Sequence, residues 1–75
     1  MAGVIDLRGV CCPMNYVKAR LFLESIEAGE MVELFLDEGE AVKNVPRSLK
    51  ADGHRLLNLI EKEGFYLLTL EKGSD

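Results

Sequence analysis

Gly9-Val10-Cys11-Cys12-Pro13-Met14-Asn15 joins a short apolar segment to a long helical pattern, and its reading sets the reading of the fold. Proline's preset φ and missing N–H suit the first position of a helix, so Pro13 marks a helix start. Cys12 then falls at the N-cap, where unpaired backbone N–H groups point outward and the helix dipole is positive. A thiolate is an anion, and helix N-termini are among the settings that lower a cysteine's pKa from about 8.5. Cys12 is therefore a candidate reactive thiol, with Pro13, Met14 and Asn15 as the supporting helix N-terminus. The other reading is a buried structural cysteine, because free cysteine is among the most buried residue types.

Upstream, residues 4–7 read as a short strand broken by Gly9, too short to stand outside a sheet. Downstream, residues 13–28 read as a helix. Tyr16, Ala19, Leu23 and Ile26 recur at spacings of three and four, with Phe22 on their flank, and form the face expected against a sheet. Gly29 is the expected C′ residue. Met14, Val17 and Leu21 lie nearly opposite that stripe, on the side expected to face water. They read either as scattered surface apolar residues or as a small partner-docking patch beginning at the helix end that carries Cys12.

Residues 31–36 read as a second strand. Strand, helix, strand in this order implies a parallel pair, and ligand chemistry in open α/β sheets gathers at the carboxyl ends of strands. Cys12 lies just beyond the first such end. Asp37-Glu38-Gly39-Glu40 reads as a solvated acidic turn, without the spacing of a calcium loop. Val42, Val45 and Leu49 mark a second helix. Pro46 is expected in its first turn, with Asn44 as N-cap and Gly53 closing it. Residues 55–61 and 65–71 read as two strands joined by a hairpin at Lys62-Glu63-Gly64. Leu56, Leu57, Leu59 and Ile60 do not alternate cleanly, so the inward face of the third strand stays open.

The expected fold is α+β: a two-layer α/β sandwich, β-α-β-α-β-β, with two helices on one face of a four-stranded mixed sheet. The opposite sheet face is expected to carry Asn58, Glu33 and Thr69. The chain has 75 residues, room for one small domain spanning 1–75. At 48% hydrophobic residues it is too apolar for disorder, and no run approaches a membrane span. Charges at Asp6 and Arg8 interrupt any signal-like start, and a cytoplasmic protein with reduced thiols is expected. Thirteen acidic residues against nine basic ones give a net charge of −4, which argues against nucleic-acid binding. A basic face made by Arg47, Lys50 and Arg55 would be needed to revive that reading. Two adjacent cysteines make no disulfide framework, and with His54 they make no recognised zinc spacing, so no metal or cofactor is expected. Cys11 reads either as a packed neighbour whose side chain points elsewhere or as a second, resolving thiol. His54 is expected at the surface, opening the third strand.

The chain resembles the TusA/SirA-type sulfur-carrier family over nearly its whole length. The family pattern is a strand ending in Gly-hydrophobic-x-Cys-Pro-x-Pro at the start of a helix, and Gly9 to Asn15 matches it with Asn15 in place of the second proline. Asp6, Gly29-Glu30, Asp37, Ala41 and Val45-Pro46, the last opening the second helix, follow the family's order. The resemblance implies the same β-α-β-α-β-β sandwich and makes Cys12 the sulfur-carrying cysteine. It implies a sulfur donor protein, a cysteine desulfurase or a rhodanese-like protein, and a sulfur acceptor protein as partners. The rival function is a noncatalytic interaction or regulatory module of the same fold, in which the cysteine is structural.

Overall fold

The computed structural model describes residues 3–11 and 13–73. Six elements follow one another: β1 (Gly3–Asp6), α1 (Met14–Glu24), β2 (Met31–Asp37), α2 (Glu40–Ala51), β3 (Arg55–Glu61) and β4 (Phe65–Glu71). The sheet order is β1-β2-β4-β3. β1 runs parallel to β2, and the two remaining pairings are antiparallel. This is the α+β two-layer sandwich on a mixed sheet that the sequence leads one to expect.

β2 lies in the middle of the sheet and sets the two faces. Its residues alternate, with Val32, Leu34 and Leu36 fully buried. Ile5 pairs with Leu34, while Leu68 and Leu70 pair with Leu34 and Val32, so all of these point to one side. Ala19 and Leu23 of α1 and Val45 and Leu49 of α2 close that side. The opposite side carries Glu33, Thr69 and Asn58 in one cross-strand row, as expected. The irregular pattern of β3 is a register shift between Leu56 and Asn58. The extra residue, Leu57, reverses the alternation beyond it, so no single period describes this strand.

Both helices depart from their expected ends. α1 stops at Glu24, not at residue 28, and Ser25 is its C-cap. The Ser25 hydroxyl donates to the Phe22 carbonyl at 2.6 Å, and the Ser25 N–H donates to the same oxygen. This local bonding competes with continuation of the helix. Gly29 is not the cap; its N–H donates to the Lys72 carbonyl and leads the chain into β2. α2 begins at Glu40, four residues before Asn44, with Gly39 as N-cap at φ 91°. Glu40 in the first turn suits the positive helix end. Pro46 is therefore inside the helix rather than opening it. It lacks the N–H that would bond the Val42 carbonyl. Its burial beside Val45 and Leu49 offsets that loss.

Smaller shifts occur at the strands. β1 runs one residue earlier than expected, although the Leu7 N–H still donates to the Phe35 carbonyl. β2 extends to Asp37, so the acidic segment is a strand end, a two-residue turn and a helix start. His54 is half-buried rather than at the surface, and its Nδ1 accepts from the Gly73 N–H at 3.1 Å. β3 and β4 have the expected bounds. Among the described residues no helix is long and apolar enough to cross a membrane.

Candidate functional site

The parallel pairing of β1 and β2 brings their carboxyl ends side by side, and the Gly9–Cys11 loop leaves from the first of them. Several contacts fix this loop. Gly9 adopts φ 80°, a left-handed conformation open to glycine without a Cβ penalty. Its N–H donates to Asp37 Oδ2 at 2.7 Å, across 28 residues of sequence. The Val10 N–H returns to the Leu7 carbonyl, and the Asn15 N–H donates to the Cys11 carbonyl at 3.1 Å. Asp37 thus ties the end of β2 to the loop ahead of the cysteines. As a landmark it was visible, but as a bond it was not, since a lone carboxylate after a strand also fits a solvated turn.

Arg8 is held from two sides. Its guanidinium makes a bidentate pair with Asp6, with Nε to Oδ1 at 2.9 Å and Nη2 to Oδ2 at 2.8 Å. The Arg8 N–H also donates to Asp6 Oδ1. The guanidinium lies over the rings of Phe35 and Phe65, 5.1 and 4.6 Å from their centroids. Planar, forked geometry suits arginine to both contacts at once. These bonds from Arg8 hold the Asp6 carboxyl down at about 2, against an ordinary value of 3.8. The folded value is the lower one, so the pair's contribution to stability is present above pH 3.8 and is lost as pH falls through about 2. Carbon-detected NMR titration of Asp6 should give a midpoint near 2, and Arg8→Ala should return it toward 3.8. A midpoint near 3.8 in the parent would mean that the pair is not formed in solution.

Pro13 stands at the N-cap of α1, one position earlier than expected, with φ −93° and ψ 6°. No side chain among the described residues caps this end. Cys12, expected at the N-cap, lies outside the described residues. Cys11 is a free thiol and exposed, not a packed neighbour. Met14 and Leu21 are 49% and 61% exposed, on the side away from the sheet as expected, whereas Val17 is half-buried. Asn15 is buried, and its Oδ1 accepts from the Tyr16 N–H at 2.7 Å. The sequence did hold a signal for this burial. Asn15, Ala19 and Leu23 follow one another at spacings of four, so Asn15 heads the buried stripe of α1. The Tyr16 hydroxyl donates to the Asp52 carboxylate at the end of α2, which locks the two helices together beside this turn.

An open cleft of about 270 Å³ lies at the carboxyl ends of β1 and β2. Gly9, Val10, Cys11 and Asn15 form one wall, and Asp37, Glu38, Glu40 and Ala41 the other. A second cleft, lined by Arg20, Glu24, Asp52, His54 and Lys72 among others, lies away from the cysteine loop. Arg55 pairs with Glu71 on the sheet face opposite the helices, while Arg47 and Lys50 are on α2, so the three do not make one basic face. Among the described residues no three His, Cys, Asp or Glu side chains come together as a metal site.

The chain belongs to the family described as Sulfurtransferase TusA, whose sequence profile matches residues 3–72. An Archaeoglobus fulgidus relative named "Putative sulfur carrier protein" is 39% identical over 61 residues, 81% of this chain and 68% of its own length. A Bacillus subtilis relative with the same description, YrkI, is 26% identical over 93% of each chain. A SirA-like protein from Desulfitobacterium hafniense superposes with a TM-score of 0.80 at 25% identity, covering 96% of this chain and 99% of that one.

Proposed function

We propose that this protein is a sulfur carrier that accepts sulfane sulfur as a persulfide on Cys12 and relays it to a partner protein. The observation that carries the reading is position. The loop pinned by Asp37 and Gly9 leaves the carboxyl ends of two parallel strands with Cys11 in it, and Pro13 stands at the N-cap of α1 two residues further along. A fixed approach to a helix N-terminus favours an anionic sulfur, because the first N–H groups of a helix lack intrahelical acceptors.

The chemistry needs no cofactor. The Cys12 thiolate attacks the outer sulfur of the donor's persulfide, a new S–S bond forms, and the old one breaks. The donor leaves as a thiolate. In the second transfer a nucleophile of the acceptor takes the outer sulfur, and Cys12 departs as thiolate. No net oxidation occurs in either step. The partners this requires are a sulfur donor protein, of cysteine desulfurase or rhodanese-like type, and a sulfur acceptor protein. Exposed Met14 at the helix start and exposed Leu21 two turns along α1 form the apolar part of the docking surface, with Val17 between them. A thiol that must stay reduced between transfers fits the cytoplasm.

Intact mass after incubation with a low-molecular-weight persulfide tests this reading. One sulfur atom adds about 32 Da, and the gain should vanish with reductant and map to Cys12. No gain across several donors, with both thiols free, would favour the interaction-module reading, for which exposed Met14 and Leu21 speak.

A further inference from the structure

We propose that β3 is a self-association edge, through which two copies of this chain join their sheets about a two-fold axis at Leu59. The sheet order leaves β1 and β3 at its edges. β1 has four residues and β3 has seven. Natural proteins commonly blunt an edge strand with lysine, proline or shortness. Arg55-Leu56-Leu57-Asn58-Leu59-Ile60-Glu61 has none of these. It is apolar on both faces, because Leu59 pairs with Leu68 on the helix side and Ile60 with Leu67 on the open side. Leu68 is 1% exposed, yet Leu59 beside it is 46% exposed, so the helix layer stops short of this edge. The register shift lies ahead of Asn58, and from Asn58 to Glu61 the ladder with β4 is regular.

Charge and backbone bonding make the occupant a second copy. Arg55 opens the strand, and Glu61 ends it, with Glu63 in the turn beyond and Lys62 between the two carboxylates. Antiparallel pairing of two such strands sets each Arg55 toward the acidic end of the other, whereas parallel pairing sets like charges together. The Leu59 N–H donates to Asn58 Oδ1 at 3.0 Å, on its own strand, so it is turned from β4 toward the free edge. In antiparallel ladders, alternate opposed residues exchange both N–H···O bonds. With the axis at Leu59, the two Leu59 residues make that exchange, and the Asn58 carboxamide releases the N–H it holds in the single chain. Their side chains then meet on the helix side. The faces stay in phase, since Asn58 lies opposite Ile60 of the copy, both on the open side. Such a contact is isologous and closes at two copies. The cysteine cleft lies at the ends of β1 and β2, with β4 between them and β3, so both copies keep it open.

Sedimentation velocity of the reduced protein, from about 10 µM to about 1 mM, tests the pairing. One strand a side buries less than the roughly 1,200 Å² of a standard interface, so a dissociation constant within that range is expected. Leu59→Lys sets two like charges face to face on the axis and should weaken association about tenfold or more, with the far-UV spectrum of the dilute parent retained. Asn58→Ala frees the Leu59 N–H and should tighten association. A further readout needs no variant: hydrogen exchange at the Leu59 amide of the parent should slow as concentration rises. A parent that stays monomeric throughout overturns the proposal and leaves the edge to a strand from a different protein. Association that survives Leu59→Lys unchanged places the contact elsewhere and overturns it too. A dimer whose Leu59 amide ignores concentration, or one no tighter in Asn58→Ala, refutes the axis at Leu59. Sulfur loading is read by mass on dilute protein, so the carrier reading and the pairing fail separately.

Discussion

Cys12→Ser should abolish sulfur loading, and Cys11→Ser should leave loading largely intact. The two residues are adjacent and chemically identical, so a difference between them isolates position from composition. The seryl hydroxyl does not form the S–S bond on which loading depends, so the expected effect at Cys12 is complete loss. Cys11 is exposed and lines the cleft, which makes it the natural rival for the incoming sulfur. Its carbonyl is already committed to the Asn15 N–H, so Cys11→Ser retains the backbone bond that shapes the loop. Mass spectrometry of both variants after persulfide treatment decides the matter. Loading lost in Cys11→Ser and kept in Cys12→Ser would move the carrier role to Cys11. Loss in both, with native thermal unfolding, would mean that the thiols act as a pair. A disulfide between neighbours in sequence forces strained geometry, so a trapped vicinal disulfide should be rare and readily reduced.

The elements of this fold were legible because their signals are local. Two apolar runs and the Lys62-Glu63-Gly64 turn between them define the β3–β4 hairpin to the residue. The stripe Ala19-Leu23 and the pattern Val45-Leu49 identify the buried faces of the helices. The misread boundaries share a cause, which is that a side chain or a distant strand overrode the period. Ser25 turns its hydroxyl back on Phe22 and ends a helix whose apolar spacing continues to Ile26. Pro46 reads as a helix start, yet burial holds it at the seventh residue of α2. Gly29 reads as a cap, yet Lys72 recruits it toward the sheet.

The site was legible in one respect and hidden in another. Pro13 announces a helix start after a strand, and that puts Cys11 in the loop just ahead of α1. The contacts that shape the approach connect residues far apart in sequence. The Gly9–Asp37 bond depends on parallel pairing of β1 with β2, and the Arg8 stack depends on Phe35 and Phe65 meeting across β2 and β4. No window of the sequence contains both partners of either contact. The open sheet face therefore has an ordered aromatic and cationic end close to the cysteine loop, where the sequence showed only Glu33, Thr69 and Asn58.

Leu34→Ala should remove a large share of the domain's stability in a single core truncation. Leu34 is fully buried at the middle of β2, paired with Ile5 on one side and Leu68 on the other. Truncation removes apolar contact and leaves a cavity that this sheet has little freedom to close, since β2 has a bonded strand on each edge. Such changes cost about 2–5 kcal/mol. At roughly 0.05–0.15 kcal/mol per residue, a domain this small has about 4–11 kcal/mol in all. The variant should therefore unfold at a urea midpoint well below the parent's, with a similar slope. Ile60→Ala is the matched control, because Ile60 is 39% exposed on β3 and has less contact to lose. A change below about 1 kcal/mol is expected there, in line with truncation of a partly exposed side chain. The comparison also bears on function. α1 reaches the sheet through Ala19 and Leu23, and its first turn holds the end of the cysteine loop through Asn15. Loosening the sheet beneath it frees that turn before the whole domain unfolds. Leu34→Ala should then alkylate faster at its cysteines under native conditions, while Ile60→Ala should match the parent. Equal stability loss in the two variants would mean that the helix-covered face is not the layer that holds the site in place.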